Sequence, residues 1–335
     1  MNRTGKYTVE FSTPPVILAS AASVGKAEGE GPLKDEFDII NENDGIGSDT
    51  WEHAEAELVN QAVGLAIKKA GLMPQNIDIA YAGDLINQCT SSTFGLRNLD
   101  IPLCGLFGAC STFALALFCA ALATDSGAAR IAVAEASSHF CSAEKQFRYP
   151  LEYGGQRAPT TQRTATASGA CVVASKGNGV KITKGILGRI TDYGVTDIGN
   201  MGAAMAPAAA RTISDFLNDT NTKPQDYDII LTGDLGQIGS KLFVDLMTEE
   251  YGFDVSSVHA DCGNMLFDIN KQDVHSGGSG CGCSASVVSS KILRELSSGK
   301  LKKVLFAATG ALMSPLTAFQ GDTIPAIAHA VLLCS

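Results

Sequence analysis

The stretch PQNIDIAYAGDL, Pro74 to Leu85, returns 150 positions later as PQDYDIILTGDL, Pro224 to Leu235. Seven of the twelve positions are identical and in register: Pro74, Gln75, Asp78, Ile79, Gly83, Asp84 and Leu85 recur as Pro224, Gln225, Asp228, Ile229, Gly233, Asp234 and Leu235. Pro, Asp and Gly punctuate many strands, so two unrelated strand entries are one explanation. A common register near the same place in each half points instead to a duplicated fold whose halves face each other. An internal repeat of this kind settles the architecture before any single element does.

The flanks of the echo repeat too. VILASAASVG (16–25) reads as a strand and its turn, and the polar, Gly-rich segment 26–50 as a loop or lid. A helix is expected from Trp51 to Ala70, opened by a capping box of Asp49 and Glu52 and stopped at Gly71. The echoed strand follows, then an apolar helix over 109–127 and buried strands over 130–138 and 167–175. The second half runs strand 180–190, helix 205–218, echoed strand, helix 283–299 and strand 302–312. Helix, Ser126, Gly127, strand is matched by helix, Ser298, Gly299, strand. Alternating strands and helices imply largely parallel sheets covered on both faces. The expected division is 1–178 and 179–335, with the site where strand ends abut helix starts.

Composition excludes several functions. Hydrophobic residues make up 45% of the 335 and charged residues 18%, as in a compact α/β protein. The net charge is −10 without a Lys/Arg block, which disfavours a nucleic-acid surface. The N-terminus lacks the apolar core of a signal peptide, and no run is expected to reach the roughly 18–20 apolar residues of a membrane span. Ten irregularly spaced cysteines then read as reduced thiols in a cytosol-like compartment.

Chemistry is expected at the paired helix starts. In GLFGACSTF (105–113), Cys110 lies where a Gly-rich strand exit meets an apolar helix. Unpaired N–H groups and the positive end of the helix dipole favour a thiolate there, which a nucleophile needs. Cys104, Cys119 and Cys171 are expected to be packing residues, since Cys is among the most buried small side chains. His259 with Cys262, and Cys281 with Cys283, make pairs without the usual zinc spacing.

The GACSTF start, the duplication and the matching GCGCSAS together resemble the thiolase-like superfamily of thiolases and fatty-acid condensing enzymes. That resemblance implies a five-layer α/β/α/β/α sandwich, a homodimer, and Cys110 as nucleophile. Ketoacyl-synthase III-type enzymes pair the Cys with His and Asn, which stabilise an enolate oxyanion. Here the His place falls at Gly233 or Asp234, and Cys281 stands where Asn belongs. A carboxylate would repel the oxyanion, which argues against condensation; His259 and His275 are the candidates to substitute from neighbouring loops.

CGLFGACSTF, the block FRYPLEYGGQRAPTTQRTATASGA (147–170) and HADCGNMLFD (259–268) more narrowly resemble the stage V sporulation protein AD family. The family implies a binding role: capture of dipicolinic acid, or its calcium chelate, for uptake into the developing spore. It also implies membrane partner proteins of the same operon and a soluble component at the spore inner membrane. A flat aromatic dianion wants donors around an apolar slot. Arg148, Arg157 and Arg163 are candidate clamps, the helix starts at Cys110 and Cys283–Ser284 offer N–H groups, and His139 and His259 are candidate donors. Asp84 and Asp234 either suit a calcium-bridged ligand or only cap the turns that follow them. The expected pocket centres on Cys110, with Asp84, His259 and the 283–286 helix start around it. No resident cofactor is expected beyond calcium carried in by the ligand. The alternative is a Cys-dependent acyltransferase or thiolase acting on a CoA thioester. A His within hydrogen-bond reach of the Cys110 sulfur would favour the enzyme, and a carboxylate there, with no open pantetheine channel, the binder.

Overall fold

Each half contributes five principal strands in the same order. In the computed structural model, which describes residues 2–147 and 157–335, the first half supplies β1 (Val16–Val24), β2 (Ile79–Gly83), β3 (Leu103–Gly105), β4 (Ile131–Ser138) and β5 (Ala167–Ala174). The second supplies β6 (Val180–Leu187), β7 (Ile229–Thr232), β8 (His259–Asp261), β9 (Lys303–Ala311) and β10 (Ala326–Cys334). Across the sheet the order is β8-β7-β9-β10-β6-β1-β5-β4-β2-β3, the same arrangement read outward from the middle in both directions. In each half the second strand is parallel to both of its neighbours and the other pairings are antiparallel, so the sheets are mixed and not largely parallel as expected. The two sheets meet where β6 pairs β1 through Val180–Ile17 and Lys181–Val16.

The helices make three layers around these sheets. They are α1 (Trp51–Lys69), α2 (Thr90–Leu96), α3 (Thr112–Ser126), α4 (Phe140–Phe147), α5 (Met201–Thr220), α6 (Gly236–Glu249) and α7 (Cys281–Val287). A π-helical turn, Val288–Ile292, and a last turn, Leu293–Ser297, continue α7. Strand alternation sorts the layers. Val133, Ala170 and Val172 point out to α1, whereas Ala132, Ala134, Cys171 and Val173 point in to α3 and α7. On the far side α5 and α6 cover the second sheet, with Met205, Phe216 and Phe243 packed against Ile230 and Leu305. The stack is therefore α/β/α/β/α.

The echo has a physical explanation at several positions. Pro74–Asn76 and Pro224–Asp226 are matching 3-10 turns, each closed by a side-chain oxygen that accepts from the residue before the Pro: Asn76 from Met73 N–H, Asp226 from Lys223 N–H. Asp78 accepts from the N–H groups of Arg130 and Ile131, where β4 begins; Asp228 accepts from those of Lys302 and Lys303, where β9 begins. Gly127 and Gly299 both take left-handed backbone, φ +79° and +75°, and stop the preceding helices.

Three expectations change. The N-cap of α1 is Thr50, whose Oγ1 accepts from His53 N–H at 3.3 Å; Asp49 lies one residue outside. The segment 26–50 is fastened down rather than lid-like. It carries a short helix, Lys26–Gly29, whose buried Glu28 accepts from Thr166 N–H, and Ile39–Ile40 pairs with Ser23–Val24 of β1. Finally, Ala109–Ser126 is long and apolar enough to cross a membrane by length and composition. Most of it is buried, however, because α3 lies between two sheets and so needs no polar face.

Candidate functional site

The chain leaves β3 and turns sharply before α3. Ala109 adopts φ +49°, and Ser111 Oγ and Thr112 Oγ1 donate to the carbonyls of Gly108 and Ala109 at 2.6 and 2.7 Å. This knot sets Cys110 two residues ahead of the helix, partly open to a pocket.

From the other half, Asp234 follows β7 and has no exposed surface. Its Oδ1 accepts from Thr309 Oγ1 at 3.0 Å, and its Oδ2 accepts from Ser279 Oγ at 3.1 Å and Gly280 N–H at 2.9 Å. The Cys110 thiol lies near the same carboxylate, close enough to feel its charge. Gln162 Nε2 holds the Asp234 backbone carbonyl at 2.7 Å. Burial, countered by these donors and reinforced by the nearby Asp261, pushes the Asp234 carboxyl up to about 7. Burial first, and then the Asp234 charge, push the Cys110 thiol well above its ordinary range. A dry site and an adjacent acid thus oppose the thiolate expected from the helix start.

The pocket above this pair encloses about 650 Å³ with its open mouth included. Its walls are apolar, with Leu85, Phe107, Phe147, Met201, Met205 and Met313. Cys110, Thr164 and Ser279 supply the polar surface, and no Lys, Arg or His is among the described lining residues.

The other expected site residues lie elsewhere. Asp84 does not line the pocket: its carboxylate accepts from Ile86 N–H, Ser92 N–H and Ser92 Oγ at 2.8–3.0 Å, so it caps a turn. His259 Nε2 pairs with Thr232 Oγ1 at 2.9 Å and its ring packs on Phe243, with burial pushing it down to about 4. His139 Nδ1 accepts from Cys141 N–H, so Nε2 donates to the Asp44 carbonyl at 2.8 Å and ties down the 26–50 segment. Cys283 and Ser284 are buried, their Sγ and Oγ directed to the carbonyls of Gly233 and Cys281. Arg163 stacks on Phe140 at 4.2 Å, Arg157 pairs with Asp273, and Arg148 lies outside the described residues. Cys281 Sγ donates to the Ser137 carbonyl at 2.8 Å. His275 pairs with Asp273 at 3.3 Å. Among the described residues no group of three or more His, Cys, Asp or Glu is arranged to hold a metal.

Sequence reading missed Ser279, Thr309, Gln162 and Thr164. Ser279 and Thr164 become neighbours because Gly278–Ser279 pairs in parallel with Arg163–Thr164, a contact between the halves that no local pattern announces.

OleA from Xanthomonas campestris, in a structure with cerulenin bound, matches with a TM-score of 0.63 at 14% identity over 100% of both chains. The 3-oxoacyl-(acyl-carrier-protein) synthase III of Aquifex aeolicus matches with a TM-score of 0.56 at 14% identity, covering 96% of this chain and 100% of that one. At such identity the likeness is one of fold, and the fold is thiolase-like. In sequence, a family model for stage V sporulation protein AD matches residues 5–334. The stage V sporulation protein AD of Bacillus subtilis is 43% identical over 332 residues, 99% of this chain and 98% of that protein. The chain belongs to the stage V sporulation protein AD family, and so to a family of sporulation proteins.

Proposed function

We propose that this protein is a non-catalytic binder of dipicolinic acid or its calcium chelate, serving uptake of that solute into the developing spore. The observation that supports this reading is the Asp234 carboxylate at the Cys110 thiol, where a condensing enzyme would need a histidine. An acid there raises the thiol pKa, and as a carboxylate it opposes an oxyanion. The apolar pocket with a few polar floor groups suits a flat aromatic ring. Calcium enters as part of the ligand, because the oxygens of Asp84 and Asp234 are buried and already engaged. The protein works as a homodimer at the spore inner membrane, handing the solute to membrane proteins of the same operon.

Calorimetric titration with dipicolinate, with and without calcium and with benzoate as control, tests this. Saturable binding of dipicolinate but not benzoate, weakened in Cys110→Ala, is the expected result. Absence of binding in every condition sinks the reading. A covalent acyl adduct on Cys110 after incubation with acyl-CoA, seen by mass spectrometry, would replace it with the acyltransferase.

A further inference from the structure

Asp234 is placed so that an anion in the pocket must reckon with its charge. Of the pocket floor, Ser279 is itself hydrogen-bonded to its carboxylate and Cys110 lies near it, so a ligand group touching Ser279 is one side chain from Asp234. The groups around Asp234 come from five segments. Cys110 arrives on the turn before α3, Thr309 on β9, Ser279 and the Gly280 N–H ahead of α7, Cys283 within α7, and Asp261 with Cys262 at the end of β8. These are thiols, neutral donors and a second acid. Asp261 is itself engaged by Thr232 Oγ1 and by the N–H groups of Leu235, Gly236 and Asn264. His259 reaches Asp261 only through Thr232 and stays neutral near pH 7.

We infer that the pocket takes up one proton with each carboxylate ligand it binds, and that the proton resides on Asp234. This rests on the binding role proposed above and specifies how that site is regulated. A ligand carboxylate and an ionised Asp234 would be two like charges in an apolar recess, and such pairs resolve by protonating one member. The hydrogen-bonding shell tolerates either state, since the Ser279 and Thr309 hydroxyls can rotate from donors to acceptors. The free carboxyl already titrates at about 7, so the coupling falls in the physiological range. Binding is then strongest in a mildly acid compartment and weakens as the pH rises.

The test uses the full-length protein and dipicolinate. Calorimetry at about pH 7.5 in buffers of different ionisation enthalpy reads proton uptake directly, and a pH series reads the affinity. Uptake approaching one proton per ligand, with affinity falling about tenfold per pH unit above pH ~7, is expected. Asp234→Asn imitates the protonated acid and should bind with no uptake and a flat pH profile. Wild-type binding without proton uptake overturns this inference alone and leaves the binding role standing. Uptake that persists in Asp234→Asn overturns the assignment to Asp234. No binding by wild-type protein overturns the binding role and this inference with it.

Discussion

Cys110 and Asp234 set each other's protonation. Burial raises both groups, and the Asp234 charge then adds to burial in holding the thiol in its neutral form. Replacing the acid by an isosteric amide removes the charge while keeping the shape. Iodoacetamide labelling of Cys110, followed by peptide mass spectrometry at about pH 8, should therefore be slow in the wild type and about tenfold or more faster in Asp234→Asn. An unchanged rate would mean that burial alone silences the thiol. Asp84 carries the same Gly-Asp-Leu context as Asp234, yet its neighbours are different: Ser92 and Ile86 claim it for a turn. Local sequence made the two acids visible as candidates but could not separate their tasks, because those tasks are assigned by groups brought from other strands.

At the scale of elements, the helix cap and the central crossing give sharp tests. Thr50→Ala should cost about 1 kcal/mol in urea denaturation, since it removes the Oγ1 acceptor at the start of α1, whereas Asp49→Ala should cost much less. Where α7 crosses β5, a Cβ on Gly169 would lie 2.2 Å from the Ala285 carbonyl oxygen. Two backbone segments cannot yield as a side-chain tip can, so Gly169→Ala should destabilise by about 1–3 kcal/mol or more and lower the denaturation midpoint. The strands and long helices were legible in the sequence because period, apolar runs and Gly stops agree there. The exact start of α3 was not, since Ala109, Cys110 and Ser111 continue its composition while the backbone makes a positive-φ turn. The 26–50 segment is largely the loop expected, but its fastening was not legible, for a related reason. Its polarity suggests freedom, but Glu28 and the Asp44 carbonyl are fastened by Thr166 and His139 from far along the chain.

Across the whole molecule, stability should depend on pH through buried acids. Burial raises Glu55, Asp84 and Glu135 inside the first half, and the Asp84 charge adds to it at Glu55 and Glu135; Glu55, whose ordinary value is 4.5, is pushed up to about 8. Serine hydroxyls support Glu55 and Glu135, with Ser137 and Ser142 donating to the former and Ser168 to the latter. Below about pH 4.5 the folded and unfolded chains both hold these protons, so the acids add no pH dependence there. As pH rises towards 8, the unfolded chain releases them first and the folded state loses stability. Melting temperature should therefore fall between about pH 5 and about pH 8, and Glu55→Gln should flatten that fall. A wild-type melting temperature that rises across this window would contradict the buried cluster.

The duplication has a consequence for ancestry. A protein made of one half, pairing with its twin, would place the same acid at both symmetry-related positions, and any change suited to a ligand would also strike the tether. With both halves in one chain the two echoed acids are free to differ: Asp84 is held in a turn by Ser92 and Ile86, while Asp234 accepts from Ser279, Gly280 and Thr309 beneath the pocket.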